Sequence, residues 1–276
     1  MWKYPLYKLA LRLAQILPVS YSIRLGMFVG SISYYLNPSR RAQLQKNLSI
    51  VLGREEVRSE VKEVFQNFGR YLAEFLLPLD RRLQLLASAE KAGIEHMSHS
   101  YQKGKGVLGL TAHLGNWEMA ALMTTQLGCR VRAIFLTHPN HQIDELFLRQ
   151  RCVKDLSVIL WKENSLKECL AALRLGHLVA IAGDIDFAGT GFEVNLFGRK
   201  TKIPRGPLVL ARRMGCPIVF GGYAWADSGS RVFYEEPILT QGLSDQELAL
   251  KIAGILEKWI RQYPTQWFCF EDIWKN

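Results

Sequence analysis

The feature that most constrains the fold is an alternation, from residue 107 onward, of short apolar runs with stretches of helical spacing. The apolar runs predict strands at 107–110, 131–135, 158–160, 178–182, 218–221 and 232–234. The helical stretches between most of them lie near 116–127, 141–152, 164–175, 206–214 and 244–262. Strands that alternate with helices need crossover connections, which favour a mostly parallel central sheet flanked by helices. The sequence therefore predicts an α/β fold.

Two further helices are predicted upstream. Asn37 and Pro38 suit an N-cap and a first helical position, and Gly53 suits a stop, which together give a helix over about 40–52. Apolar residues then recur at spacings of three and four from Val57 to Leu76, the pattern of an amphipathic helix. We expect this second helix to end at Pro78 because proline cannot continue it.

Positive charge is concentrated at the N-terminus. The chain carries a formal charge of +10, and residues 1–54 contain eight Lys or Arg and no Asp or Glu. Aromatic and leucine side chains alternate with these cations, which is typical of a helix in the membrane interface. The longest uncharged run, 25–39, has 15 residues, fewer than the roughly 20 that a spanning helix needs. A helix packed on the core with a solvated basic face is the alternative.

Length and composition favour one compact unit. The chain has 276 residues, 49% of them apolar, with no linker composition and no internal repeat. We predict a basic, aromatic-rich, membrane-associating helical segment over 1–37 and an α/β domain over 38–276. Five cysteines without a Cys-x-x-Cys pair argue against a disulfide framework or a thiolate metal site.

Other ligand classes are not predicted. The histidine pairs His96/His99 and His138/His141 lack a His-Glu-x-x-His pattern, so we expect no metal site and no cofactor. No nucleic-acid-binding motif accompanies the basic charge, and we therefore expect no nucleic-acid partner.

The segment TAHLGNWEMA, residues 111–120, follows the first predicted strand. In open parallel sheets, ligands bind beyond the carboxyl ends of strands, which is where His113 falls. Gly115 permits an unusual backbone, and Asn116 can cap the helix whose first turn carries Glu118. Five residues of helix turn the chain through about 500°, so His113 and Glu118 can meet only across a bend.

A histidine and a carboxylate that meet in this way can act as a general base and the group that orients it. Glu118 would accept one ring N–H of His113, and the other ring nitrogen would take a proton from a hydroxyl group. Trp117 would exclude water or pack in the core. From these residues alone, an ordinary hydrogen-bonding histidine is the more common interpretation.

The same segment resembles the His-x-x-x-x-Asp/Glu motif of glycerolipid and lipid A acyltransferases. Three other stretches resemble segments of the lipid A biosynthesis (lauroyl/myristoyl) acyltransferase family and occur in the same order as in that family. One precedes the motif, RRAQLQKNLSIVLG at 40–53, and two follow it, LVAIAGDIDFAGTGFEVNLFGRK at 178–200 and IPRGPLVLARRMGCPIVFGGY at 203–223. The resemblance covers almost the whole chain.

This resemblance implies an O-acyltransferase that moves a fatty acyl group from acyl-carrier-protein, or acyl-CoA, to a hydroxyl of a membrane glycolipid such as a lipid A precursor. His113 would be the base, Glu118 its orienter, and no covalent acyl-enzyme would form. The implied place of action is the cytoplasmic face of a bacterial inner membrane, reached peripherally or through the N-terminal segment. A basic enzyme also suits an acidic carrier and an anionic membrane surface.

Several charged residues are candidates for substrate binding, together with Asn116 and Trp117. The stretch IDELFLRQRC resembles the family's arginine-containing helix, so Arg149 or Arg151 could hold a phosphate, or could lie on a solvated face. Asp184 and Asp186 follow a predicted strand and could border the pocket or cap a turn. Arg205 and Arg199 are similar candidates.

The C-terminus departs from the family pattern. Lipid A members tend to end in an aromatic run followed by His-Arg-Arg, whereas this chain ends YPTQWFCFEDIWKN, with Glu271 and Asp272 in place of bases. A phosphoglycolipid or lysophospholipid acceptor is therefore open as well. A non-catalytic lipid-binding or carrier protein is the alternative from another class, and replacement of His113 by alanine separates it from an enzyme.

Overall fold

A computed structural model describes residues 3–137, 140–162, 164–227 and 229–274 of the chain. The helices within these ranges are α1 (Lys3–Ile16), α2 (Val19–Leu36), α3 (Pro38–Leu52), α4 (Arg58–Leu76), α5 (Leu79–Ser88), α6 (Ile94–Gln102), α7 (Trp117–Gln126), α8 (His141–Arg151), α9 (Ser165–Arg174), α10 (Arg205–Met214) and α11 (Asp245–Gln262). The strands are β1 (Glu90–Ala92), β2 (Val107–Thr111), β3 (Val131–Phe135), β4 (Leu156–Leu160), β5 (Leu178–Ala182), β6 (Phe192–Leu196), β7 (Arg199–Ile203), β8 (Ile218–Ala226) and β9 (Gly229–Tyr234).

Seven strands form the central sheet in the order β1-β9-β8-β2-β5-β3-β4. The run from β8 to β4 is parallel, and β9 turns back antiparallel to β8. Side chains alternate between the two faces, so Leu108 and Leu110 of β2 join one buried cluster and Val107 joins the other. The predicted α/β fold with a mostly parallel sheet flanked by helices is confirmed.

Some elements were not predicted from the sequence. β1 is three residues long and polar, and the hairpin β6–β7 lies outside the main sheet. In that hairpin only alternate residues such as Val194, Leu196 and Ile203 are buried, so it carries no continuous apolar run. By contrast, α3 begins at Pro38 as predicted and ends at Leu52. Gly53 caps it with a φ of 66°, the left-handed conformation of a helix stop.

Helices α1 and α2 pack on α4. A Cβ on Gly26 would lie 2.4 Å from the carbonyl oxygen of Gly69, and one on Gly30 would lie 2.2 Å from that of Phe65, so α2 and α4 meet backbone to backbone. Arg81 donates to the carbonyl oxygens of Ala14 and Leu17 and so holds the end of α1. The boundary at residue 37 stays a prediction. Among the described residues, no helix has the length and apolar content needed to cross a membrane.

Candidate active site

The ends of two adjacent strands bring His113 and Asp184 together. β2 and β5 pair in parallel with Thr111 opposite Ala182, and each of the two side chains lies two residues beyond its strand end. Their separation in space is therefore set by the sheet register. The Nδ1 atom of His113 lies 2.9 Å from Oδ1 of Asp184.

Asp184 is fully buried and accepts hydrogen bonds on both oxygens. Its Oδ2 accepts from the backbone N–H of His113 at 3.1 Å and from the indole Nε1–H of Trp267 at 2.9 Å. An ionised carboxylate only accepts, so the Nδ1 proton of His113 donates to Oδ1. In the neutral ring, Nε2 is then left without a proton and can accept one.

Each of the two groups favours the charged form of the other. Burial opposes the charge on His113, but the facing Asp184 carboxylate outweighs it and raises the pKa of the imidazole. Burial likewise opposes the charge on Asp184, but the His113 charge and the hydrogen bonds from His113 and Trp267 lower the pKa of that carboxyl. Asp184 is therefore a carboxylate at neutral pH, as an orienting group must be.

Glu118 has a different partner from the predicted one. Its Oε1 accepts from Nε of Arg151 at 2.8 Å and from the hydroxyl of Tyr71 at 3.4 Å. Helix α7 turns Glu118 away from the strand end towards α8; Glu118 is buried, and 11% of the Arg151 side chain is exposed. The contact between His113 and Glu118 that we expected is not the one in the structure: Asp184 faces the imidazole, and Glu118 neutralises Arg151.

The turn between His113 and α7 has the predicted form. Gly115 has a φ of 60°, and a Cβ there would lie 1.9 Å from the carbonyl oxygen of Tyr223. Asn116 caps α7 by accepting from the backbone N–H of Met119 at 3.1 Å. The amide of Asn116 in turn donates to the buried Glu74 at 2.9 Å. These contacts fix where α7 begins relative to His113.

An apolar cavity of about 270 Å³ adjoins His113. The Trp117 ring lies 5.2 Å from the imidazole, centroid to centroid, and stacks on Tyr71 at 4.3 Å. At the α1 end, Tyr7 and Phe147 meet edge to face at 5.2 Å. The remaining walls include Phe68, Leu72, Ile185, Phe187, Phe268 and Phe270. The cavity can take a hydrocarbon chain with its head beside the imidazole.

The other predicted binding residues lie in different places around the site, outside the cavity beside His113. Arg151 stacks on Phe135 at 3.7 Å behind the cavity, whereas Arg149 is exposed and pairs with Glu145 on the same helix. Asp186 accepts from the backbone N–H of Gly191 at 2.6 Å and lines a second cavity. Arg205 lies over the Phe192 ring, and Arg199 is exposed on β7. None of these arginines lines the cavity beside His113.

Three site residues were missed or misassigned in the sequence analysis. We expected Asp184 at the border of the pocket and not in contact with the imidazole. Asp184 and His113 each lie two residues after the end of their strand, and this shared position is a signal that could have paired them. Trp267 and Phe268 come from the C-terminal segment, which no local pattern links to the site. Phe268 donates its backbone N–H to the carbonyl oxygen of His113 at 2.7 Å.

No metal centre accompanies the site within the described residues: they contain no group of three or more His, Cys, Asp and Glu side chains arranged to hold an ion. His138 of the second histidine pair lies outside the residues that the structure describes.

Comparison with known proteins identifies a family of acyltransferases, and the similar proteins are acyltransferases as well. The family model for bacterial lipid A biosynthesis acyltransferases matches residues 1–276. The phosphatidylinositol mannoside acyltransferase of Mycobacterium tuberculosis is 24% identical over 251 residues, which cover 87% of this chain and 79% of the relative. The protein of that name from Mycolicibacterium smegmatis is 24% identical over 266 residues, covering 90% and 84%. The resemblance predicted from the sequence is confirmed.

Proposed function

The chain belongs to the bacterial lipid A biosynthesis acyltransferase family and is an acyl-transferring enzyme, and we propose that it moves a fatty acyl chain from a thioester donor to a hydroxyl of a membrane glycolipid. The observation that carries the proposal is the buried His113–Asp184 pair, 2.9 Å apart, beside a cavity lined by aromatic rings. This arrangement joins a general base to a binding place for an acyl chain.

The proposed chemistry is a direct transfer. Nε2 of His113 takes the proton of the acceptor hydroxyl as its oxygen attacks the thioester carbon. The tetrahedral intermediate then collapses, the C–S bond breaks, and the leaving thiolate takes the proton from Nε2. Asp184 holds the Nδ1 proton throughout and stabilises the imidazolium. The N-terminus of α7, which begins four residues after His113, favours the developing oxyanion.

Glycolipid is the acceptor class that the comparisons favour. The relatives from both mycobacterial species are named for acylation of a phosphatidylinositol mannoside. A lipid A precursor is the acceptor suggested by the family description, and a phosphoglycolipid or lysophospholipid remains the other candidate class. We propose acyl-carrier-protein or acyl-CoA as the donor, since both present the acyl group as a thioester.

Membrane association is proposed for the outer face of α1 and α2. Helix α2 packs on α4 through its inner face, so the apolar side chains of its outer face are left exposed at helical spacing. The exposed apolar residues of the two helices are Leu6, Leu9, Ile16, Tyr21, Leu25, Phe28, Val29, Ile32, Tyr35 and Leu36. Lys8, Arg12 and Arg24 are exposed on the same helices and suit anionic headgroups. The location that we propose is the cytoplasmic face of the bacterial inner membrane, reached peripherally or through the N-terminal segment.

A transfer assay tests the reaction. Purified protein is incubated with radiolabelled acyl-carrier-protein or acyl-CoA and with a lipid A precursor, a phosphatidylinositol mannoside or a lysophospholipid in mixed micelles. We expect label in a glycolipid ester. Label in none of the acceptors, with tight lipid binding intact, would instead support the lipid-carrier alternative.

A further inference from the structure

Glu74 is a fully buried carboxylate that the proposed reaction does not use. It lies in the last turn of α4, its side chain is 0% exposed, and it does not line the cavity beside His113. A glutamate is almost never fully buried unless it is paired, because removing the charge from water is costly. The contacts of Glu74 therefore indicate what it does.

Three donors meet the two oxygens of Glu74. Its Oε1 accepts from Nε of Arg70 at 3.0 Å and from the indole Nε1–H of Trp225 at 2.8 Å, and its Oε2 accepts from the amide of Asn116 at 2.9 Å. Burial raises the pKa of Glu74, and the Arg70 charge together with these hydrogen bonds opposes that rise. All three neighbours donate, so they suit a carboxylate that accepts on both oxygens.

Asn116 connects Glu74 to the first turn of α7. Its Oδ1 accepts from the backbone N–H of Met119 at 3.1 Å, so its NH₂ group is the end that faces Glu74. The cap satisfies Met119, whereas the N–H groups of Trp117 and Glu118, at the first two helical positions, have no acceptor within the helix. These amides form the helix N-terminus to which the proposed function assigns the oxyanion.

The base is held by other contacts. The backbone N–H of His113 donates to Asp184, and its carbonyl oxygen accepts from the backbone N–H of Phe268. The ring itself is held by the same Asp184 carboxylate. A change at Glu74 therefore reaches α7 through Asn116 and leaves the imidazole on its orienting group.

We propose that Glu74 is a positioning residue for acyl transfer, which through the amide of Asn116 sets where the N-terminus of α7 stands relative to His113. The inference rests on the proposed function and adds a residue of α4 that supports the reaction without touching the substrate. Donors stabilise an oxyanion only when they point at the place where its charge develops. A displacement of about 1 Å can lower a rate by about 10²-fold.

Glu74→Gln perturbs this contact with little change of shape. The introduced carbonyl oxygen can still accept from Arg70 and Trp225, but the introduced NH₂ group then faces the NH₂ group of Asn116. If the Asn116 amide turns over to relieve this contact, it no longer caps the N–H of Met119. In either arrangement one hydrogen bond at the start of α7 is lost, and a buried donor is left unpaired.

A second substitution should restore the lost hydrogen bond. In Glu74→Gln combined with Asn116→Asp, the new carboxylate can accept from Met119 on one oxygen and from the introduced amide on the other. The net charge of the pair is unchanged. Asn116→Asp alone sets this carboxylate against that of Glu74, so it should not raise the activity above that of wild type.

Tyr234→Phe is the matched control for a loss of stability. It removes a buried hydroxyl that bonds to Thr124, near the other end of α7, at 2.9 Å. Thermal melting of all variants verifies that they fold.

We expect Glu74→Gln to lower kcat for acyl transfer by roughly 10- to 100-fold, with the KM values of donor and acceptor changed by less than about threefold. The acidic limb of the pH profile should stay in place, because the contact between His113 and Asp184 is intact. The double variant should recover to within about threefold of wild type, and Tyr234→Phe should stay within about twofold.

Hydrogen exchange, followed by mass spectrometry of a peptide over 114–120, gives a readout that needs no substrate. Exchange there should be faster in Glu74→Gln by at least about tenfold and return to the wild-type rate in the double variant. If wild type transfers no acyl group, the proposed function is rejected, and the exchange rates alone decide whether Glu74 fixes the first turn of α7.

Four results would overturn the inference. They are a double variant no faster than Glu74→Gln, a loss confined to KM, an equal loss of kcat in Tyr234→Phe, and a gain from Asn116→Asp alone as large as its gain in the Glu74→Gln background. The last result would reflect a general effect of charge at the helix N-terminus.

Discussion

Replacement of Asp184 by asparagine should remove most of the activity while leaving the side-chain shape unchanged. The carboxylate accepts three hydrogen bonds, two of them from the N–H donors of His113 and Trp267 on Oδ2. The amide oxygen of asparagine can keep both of those bonds only if it takes the place of Oδ2. Its NH₂ group then faces Nδ1 of His113, which must accept, so the ring proton moves to Nε2 and the base is blocked.

A triad in which the orienting aspartate becomes asparagine loses about 10⁴-fold in kcat through the same change of tautomer. We expect a loss of roughly 10²–10⁴ here, since general-base catalysis contributes about that much. The measurement is kcat for acyl transfer at saturating donor and acceptor. A loss of less than about tenfold, below the range for general-base catalysis, would refute the tautomer argument.

The pH profile supplies a second readout that a purely structural role would not change. In wild type the carboxylate raises the pKa of His113, and the base is active only when deprotonated, so kcat/KM should fall as the pH drops through that raised pKa. Without the carboxylate the pKa of His113 falls, and the acidic limb of the residual activity should move to lower pH. An acidic limb that stays in place would mean that another group titrates.

Further predictions concern the buried ion pair, the acyl cavity and the outer face of α2. Glu118→Gln leaves Arg151 unpaired and should lower the free energy of unfolding in urea by about 3–5 kcal/mol, with recovery in the double variant that adds Arg151→Met. Glu118→Gln should not move the acidic limb of the kcat/KM pH profile. A shift like the one expected for Asp184→Asn would mean that Glu118 is the residue that orients His113. Phe147→Ala removes the ring that contacts Tyr7 and so extends the aromatic cavity. Competition assays should then show a preference for longer acyl donors that grows by roughly fourfold per added methylene, since each buried CH₂ contributes about 0.8 kcal/mol. An unchanged chain-length profile would mean that the acyl chain binds elsewhere. Phe28→Ser combined with Ile32→Ser should weaken sedimentation with anionic vesicles by at least about tenfold, since each large apolar side chain contributes about 1.5–3 kcal/mol when buried. Leu250→Ser, at a comparably exposed leucine of α11, is the matched control and should bind as wild type does.

The sequence was sufficient for the parts of the fold that depend on local pattern. Apolar runs and helical spacing predicted β2, β3 and β5 and the helices between them, and Asn116 was correctly expected to cap α7. The position of His113 at a strand end follows from the same local information.

The pairing of His113 was not predictable locally. Its partner, Asp184, is 71 residues away, and the contact depends on the register of β2 against β5, which one residue of slip would destroy. Glu118 was closer in sequence, but the helical phase of α7 directs it to Arg151 on α8. Trp267 reaches Asp184 only because the C-terminal segment lies across the end of β2.

The most direct test of the account is the acyl-transfer rate of His113→Ala beside wild type, measured with saturating donor and glycolipid, together with binding of both proteins to the acceptor. The proposed base predicts a rate lower by about 10²–10⁴ with unchanged acceptor binding. A variant that transfers acyl groups as fast as wild type would contradict the assignment of His113 as the base.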